Sequence, residues 1–223
     1  MQHLYLCALC LCVMAAFIIG EYREKYVQAV LLKGLASAVF VVLGFLSRKI
    51  GHDSGFAAPI LAGLILGMIA DVLLNLRYVV GNKGKLVFLV GILVFLSGHI
   101  AYLLAIMKLS TALLWEILIG IVLTAGLMAW IFTRITAEKA FKIFGVFYLG
   151  AIMIMNAVAI GNVLTLGTPF TKLFALGAVL FLISDIVLIL NTFGKESKFS
   201  LRIVNLSLYY IGQLLIALSL QLL

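Results

Sequence analysis

The sequence predicts an all-α integral membrane protein with eight transmembrane helices, arranged as two parallel four-helix repeats around a central polar cavity. Three observations predict it. Of 223 residues, 65% are hydrophobic and only 11% charged, with a mean hydropathy of +1.29, where soluble chains carry roughly 25% charged residues. The apolar residues fall into eight runs, each near the ~20 residues that a helix needs to cross a bilayer. A segment of the third run repeats without gaps in the seventh, at an offset of 114 residues. Two prolines and 20 glycines suit long helices that approach closely through small residues. This composition excludes a secreted disulfide domain, a disordered chain and a nucleic-acid-binding module.

The first run, about 4–19, holds all three cysteines, Cys7, Cys10 and Cys12. Their spacing resembles a metal motif, but a thiol on a membrane helix behaves as a small apolar residue, so these are read as packing groups. The run lacks the basic start and small-residue cleavage site of a signal peptide and is expected to be a retained helix. The second run, about 28–46, contains Lys33, and the third, about 56–76, contains Asp71 and Asn75. The fourth, about 86–107, carries His99 and Tyr102 at i,i+3 spacing, which places them on one helix face. The fifth, about 113–132, has Glu116 at its outer edge, where an interfacial position is expected. The sixth, about 143–161, includes Asn156; the seventh, about 173–193, includes Ser184 and Asp185; the eighth, about 204–222, includes Tyr209, Tyr210 and Gln213. The segments between runs are too short for a soluble domain. Residues 1–223 are therefore expected to form a single transmembrane domain.

Charge sets the expected orientation. The connections after runs one, three, five and seven hold 11 basic residues: Arg23, Lys25, Arg77, Lys83, Lys85, Arg134, Lys139, Lys142, Lys195, Lys198 and Arg202. The opposite connections hold four: Arg48, Lys49, Lys108 and Lys172. Positive residues in short loops concentrate on the cytoplasmic side, so both termini are expected to be non-cytoplasmic. In a bacterium the protein would span the cytoplasmic membrane. The net charge of +8 then faces anionic lipid headgroups and needs no nucleic-acid partner.

The repeat aligns Gly63 to Leu76 with Gly177 to Leu190, so that Asp71 falls on Asp185, and the same offset carries Gly98-His99 onto Gly212-Gln213. Four helices per half is an even number, which makes the repeats parallel and related by an axis along the membrane normal. Both carboxylates then lie at matching depth around one cavity. An acid inside the bilayer costs about 2.5–3.5 kcal/mol to insert and usually faces a bundle interior or a water-filled path. Interhelical hydrogen bonds return only about 0.6 kcal/mol on average, so a structural role alone is a weak reason for two of them. Lys33, Asn75, His99, Tyr102, Asn156, Ser184, Tyr209, Tyr210 and Gln213 are the candidate companions. Singly, each also has an ordinary reading as a packing, anchoring or snorkelling residue.

Two carboxyls in one apolar pocket can hold different protonation states, one as general acid and the other to activate water. A pocket open to the cytoplasmic leaflet suits an amphiphile, with its headgroup near Lys33 and the basic loops. The chain has no G-x-S-x-G elbow, no H-E-x-x-H helix and no phosphate-binding Walker loop. His3 and His52 lie near boundaries or in loops, so neither a metal nor a cofactor is expected.

At these residues the chain resembles the YhhN-like lysoplasmalogenase family of eight-span membrane hydrolases. Phe95-Leu-Ser-Gly-His99-Ile-Ala-Tyr102 is similar to the family's F-x-x-[AG]-H-x-x-Y block, and Gly177 to Asp185 to its G-x-x-x-F-x-x-S-D segment. Tyr209-Tyr210-Ile-Gly-Gln213-Leu-Leu-Ile216 is similar to its Y-x-x-[AG]-Q-x-L-I block, and Ile69-Ala70-Asp71-Val72-Leu73-Leu74 to its first Asp block. Ala70 stands where the family often has Gly, and Gly34 follows Lys33 where a Pro is common. The resemblance implies hydrolysis of the vinyl-ether bond of a lysoplasmalogen to a fatty aldehyde and glycerophosphoethanolamine or glycerophosphocholine. The partners are then the bilayer and a lysophospholipid with a vinyl-ether chain, and Asp71 and Asp185 share the acid and base roles. The other readings of the same residues are a transporter or proton-coupled lipid flippase, and a non-catalytic lipid-binding protein.

Overall fold

The computed structural model describes residues 1–51 and 55–223; His52, read above as near a boundary or in a loop, lies outside the described residues. Among the described residues eight α-helices follow one another: α1 Gln2–Tyr22, α2 Tyr26–Arg48, α3 Ala57–Leu76, α4 Gly84–Ile106, α5 Leu113–Phe132, α6 Lys139–Leu166, α7 Pro169–Phe193 and α8 Phe199–Ser219. Each is long and apolar enough to span a bilayer, and among the described residues there is no strand, only an isolated bridge between Ile135 and Gly194. The chain is an integral, multi-pass membrane protein. Large apolar side chains such as Trp115, Val122, Phe147 and Leu164 lie on the outside of the bundle, more than 60% exposed. In lipid that outer surface carries no hydrophobic penalty.

The helices match the eight apolar runs in order, with differences at the ends. The largest is α6, which extends to 28 residues where the apolar run covers 143–161. Hydropathy drops at Lys142 and Lys139, but a helix keeps its backbone bonds as it leaves the hydrocarbon. It stops at Gly167, whose φ of 59° is the left-handed cap that glycine adopts at least cost. Directly after it, Thr168 caps α7 by accepting from the Thr171 amide at 3.2 Å, with Pro169 opening the helix.

Packing repeats between the halves, residue by residue. A side chain at Gly63 would strike the Gly98 carbonyl and the Tyr102 ring; one at Gly177 would strike the Gly212 carbonyl and Ile216. Adding 114 to the first set of numbers gives the second. The α3–α4 and α7–α8 pairs thus pack through equivalent glycine contacts, their backbones drawn together because no Cβ intervenes. Helix α2 lies against α8 as α6 lies against α4, which joins the halves into one ring of contacts. At its centre Phe95 touches its own repeat partner Tyr209, with ring centroids 5.8 Å apart. Two residues exchanged by a two-fold that touch one another lie beside its axis.

The odd-numbered connections gather on one face. Lys85 pairs with Glu138, the Thr136 amide donates to the Phe193 carbonyl, and Arg202 pairs with Glu21. On the opposite face Glu116 departs from its expected interfacial position. It occupies the first turn of α5 but is turned inward, 6% exposed, against Gly161 of α6. Ser110 Oγ donates to its carboxylate at 2.6 Å. The absence of a side chain at Gly161 leaves room for the Glu116 carboxylate.

Candidate active site

Asp71 sits five residues before the end of α3 and is buried, 1% exposed. Three elements supply its partners. From α2, Lys33 Nζ lies 3.1 Å from Oδ1 and Ser37 Oγ donates to Oδ2 at 2.6 Å. From α8, the Tyr209 hydroxyl donates to Oδ2 at 2.5 Å. Lys33 and Ser37 are i,i+4 on one helix face, which is how a single helix delivers both. Tyr210 stands behind them, its hydroxyl 3.3 Å from Ser37 Oγ and donating to the Lys33 carbonyl at 3.3 Å. Lys33 also donates to Asn75 Oδ1 at 3.5 Å, an oxygen shared with Arg202 at the same distance. Arg202 in turn holds Glu21 through two nitrogens, at 2.9 and 3.0 Å.

Asp185, on α7, is 3% exposed and differently surrounded. The Tyr148 hydroxyl donates to Oδ2 at 2.5 Å, and among the described residues no cation lies within ion-pair distance. The contrast follows from the repeat: Tyr209, which serves Asp71, has Phe95 as its counterpart, and Phe95 has no hydroxyl to offer Asp185. The two halves share a backbone plan but differ in the polar atoms they aim at their acids.

Both aspartates line one pocket. Its polar wall is Lys33, Asp71, Asn75, Arg77, Asp185, Arg202 and Asn205; its apolar wall is Leu74, Phe88, Phe95, Leu188 and Leu206, with the Tyr148 and Tyr209 rings. Toward the odd-numbered connections it meets an open vestibule bordered by Glu21, Tyr26, Arg77, Tyr78, Lys198 and Arg202. Sideways, past Leu74, Phe88, Phe95, Tyr148 and Leu188, it meets an apolar chamber between α4, α6 and α7, lined further by Ile92, Phe141, Gly145, Ile189, Thr192 and Phe193.

Of the sequence candidates, Asp71, Asp185, Lys33, Asn75 and Tyr209 line this pocket, with Tyr210 one bond behind. Tyr102 donates to Gln213 Oε1 at 2.8 Å, tying α4 to α8 beside the glycine contact. His99 is 1% exposed in a cage of Phe95, Tyr102, Tyr148 and Phe181 rings, and neither ring nitrogen has a protein partner. Ser184 bonds with Asn205 between α7 and α8, and Asn156 donates to the Ile152 carbonyl of its own helix at 2.9 Å; neither lines the pocket. The sequence reading missed Ser37, Tyr148, Arg202 and Asn205. One signal was available: Ser37 is one turn from Lys33.

Fold and site together define a polytopic helical membrane protein in which each half brings one carboxylate to a shared pocket between an aqueous vestibule and an apolar chamber. The chain belongs to the YhhN family, whose sequence profile matches residues 28–220. No curated protein and no solved structure matches it.

Proposed function

We propose that the chain is a membrane ether hydrolase, a lysoplasmalogenase, that cleaves the vinyl-ether bond of single-chain plasmalogens. The observation that carries this reading is the pair of differently partnered carboxyls on one pocket, polar toward the vestibule and apolar toward the chamber. An amphiphile fits that gradient with its headgroup in the vestibule, its chain in the chamber and the ether linkage beside the aspartates. Pockets with a few convergent polar groups in an apolar wall are the usual form of a small-molecule site.

The chemistry needs one acid and one base. Asp185, held by one phenol and with no cation at ion-pair distance among the described residues, donates its proton to the β-carbon of the enol ether, and the α-carbon becomes an oxocarbenium ion. Asp71, paired with Lys33 and accepting from two hydroxyls, faces that positive charge and takes a proton from the attacking water. The hemiacetal then collapses: Asp71 gives its proton to the glycerol oxygen as the carbon–oxygen bond breaks, Asp185 takes the hydroxyl proton, and the fatty aldehyde is released with both acids back in their starting states. Water is the only co-reactant, and it enters from the vestibule.

The test is aldehyde release from a 1-alkenyl lysophospholipid by purified protein in detergent. Asp71→Asn and Asp185→Asn are each expected to lower turnover by about 10²–10⁴-fold, the usual contribution of a positioned acid or base. In D₂O the aldehyde should carry one deuterium on the carbon next to the carbonyl, the mark of protonation at carbon. Full rate in either variant would overturn the mechanism. Lipid translocation in proteoliposomes without cleavage would favour a transporter, and binding without turnover or transport a lipid-binding protein. Helices α3 and α7 run unbroken through Asp71 and Asp185, unlike the interrupted helices at the binding sites of many transporters.

A further inference from the structure

Four cations border the pocket and its vestibule: Lys33, Arg77, Lys198 and Arg202. Three have a carboxylate partner: Lys33 has Asp71, Lys198 has Glu196, and Arg202 has Glu21. Among the described residues Arg77 has none. Its guanidinium is 4.2 Å from the Phe88 ring centroid and 4.6 Å from that of Tyr78. Nη2 donates to the Tyr78 hydroxyl, and Nε is buried without a partner. Tyr78 is itself stacked on Tyr26. Aromatic faces position a guanidinium while leaving its in-plane N–H groups free for an anion. Arg77 lines both cavities, so this fixed positive charge stands where the pocket passes into the vestibule.

We infer that Arg77 is the anchor for the phosphodiester headgroup of the single-chain lipid that this site binds. The inference rests on the lipid-hydrolase reading of the same pocket and assigns its anion subsite. It replaces Lys33 in that role, since Asp71 already occupies the Lys33 ammonium. Arg77, the C-cap of α3, follows Asp71 by six residues, an axial rise of about 9 Å, and both line the pocket. A planar fork of donors is also the group best matched to phosphate oxygens.

Binding rather than turnover tests this, so that its failure is separable from failure of the hydrolase reading. The probes are a 1-O-alkyl lysophosphatidylcholine, which has no double bond to hydrolyse, the matching 1-O-alkylglycerol without phosphate, and inorganic phosphate alone. Wild-type protein should bind the phospholipid about ten- to hundredfold more tightly than the alkylglycerol, the range of a charge-assisted contact. Arg77→Gln should erase that ratio while alkylglycerol affinity holds, which also reports that the variant is folded; Arg77→Lys should keep part of it. Inorganic phosphate should bind far more weakly than the lipid; equal affinity would make the site one for free phosphate and overturn the lipid assignment. A ratio unchanged in Arg77→Gln, or an equal loss for both lipids, would overturn the anchor.

Discussion

Lys33 and Asp71 place opposite charges 3.1 Å apart with side-chain exposures of 6% and 2%. Charges so shielded are costly singly, because each depends on the other to replace water. Lys33→Met should therefore destabilise the protein by about 3–5 kcal/mol, as removal of one partner from a buried pair does elsewhere. The double variant Lys33→Met/Asp71→Leu should recover most of that loss while remaining inactive. Thermal unfolding in detergent checks both; a Lys33→Met protein as stable as wild type would mean that the pair contributes nothing to the fold. At this scale the sequence was partly legible. A shared offset singled out the two aspartates, because carboxyls are rare in lipid and coincidence between halves is informative. Hydroxyls give no such signal: Ser37 and Tyr148 are common on membrane helices, and only the rotation of α2 and α6 decides that they meet an acid. Glu116 illustrates the converse. Its place at a helix end suggested headgroups, but Gly161 on the neighbouring helix makes room for it inside.

Helices were easier to read than their ends or their rotation. Length and hydropathy fix a spanning helix, whereas its ends depend on caps such as Thr168 and on water beyond the hydrocarbon, as in α6. Rotation matters most in α6, where Tyr148 meets Asp185 and Gly145 faces the apolar chamber. A side chain built at Gly145 would meet nothing within 4 Å. Gly145→Leu should therefore fold normally and fill space that the lipid chain would otherwise occupy. Its expected effect is a shift of preference toward shorter alkenyl chains, with turnover of the short substrates retained. The check is a chain-length profile for wild type and variant, with Gly126→Leu on α5 as control, since Gly126 is also unencumbered and lies away from the chamber. Identical profiles in all three would remove the chamber from the substrate's path.

On the scale of the whole molecule, charge asymmetry and cavity position point the same way. The connections after α1, α3, α5 and α7 contain the 11 basic residues or lie next to them, and the vestibule opens among those same connections, at Glu21, Arg77 and Lys198. If basic loops stay on the cytoplasmic side, the site draws its lipid from the cytoplasmic leaflet, whose anionic surface the same residues face. Single cysteines in a chain with Cys7, Cys10 and Cys12 changed to Ala test this. Ser197→Cys, exposed at the vestibule, should react with a membrane-impermeant maleimide only once the cytoplasmic side is opened. Thr111→Cys, exposed between α4 and α5, should react in intact cells. The reverse pattern would turn the vestibule outward and place the lipid in the other leaflet. It would leave the chemistry of Asp71 and Asp185 intact, because the pocket depends on helix packing alone. Orientation is a separate property, set by charges that the pocket shares only at its rim.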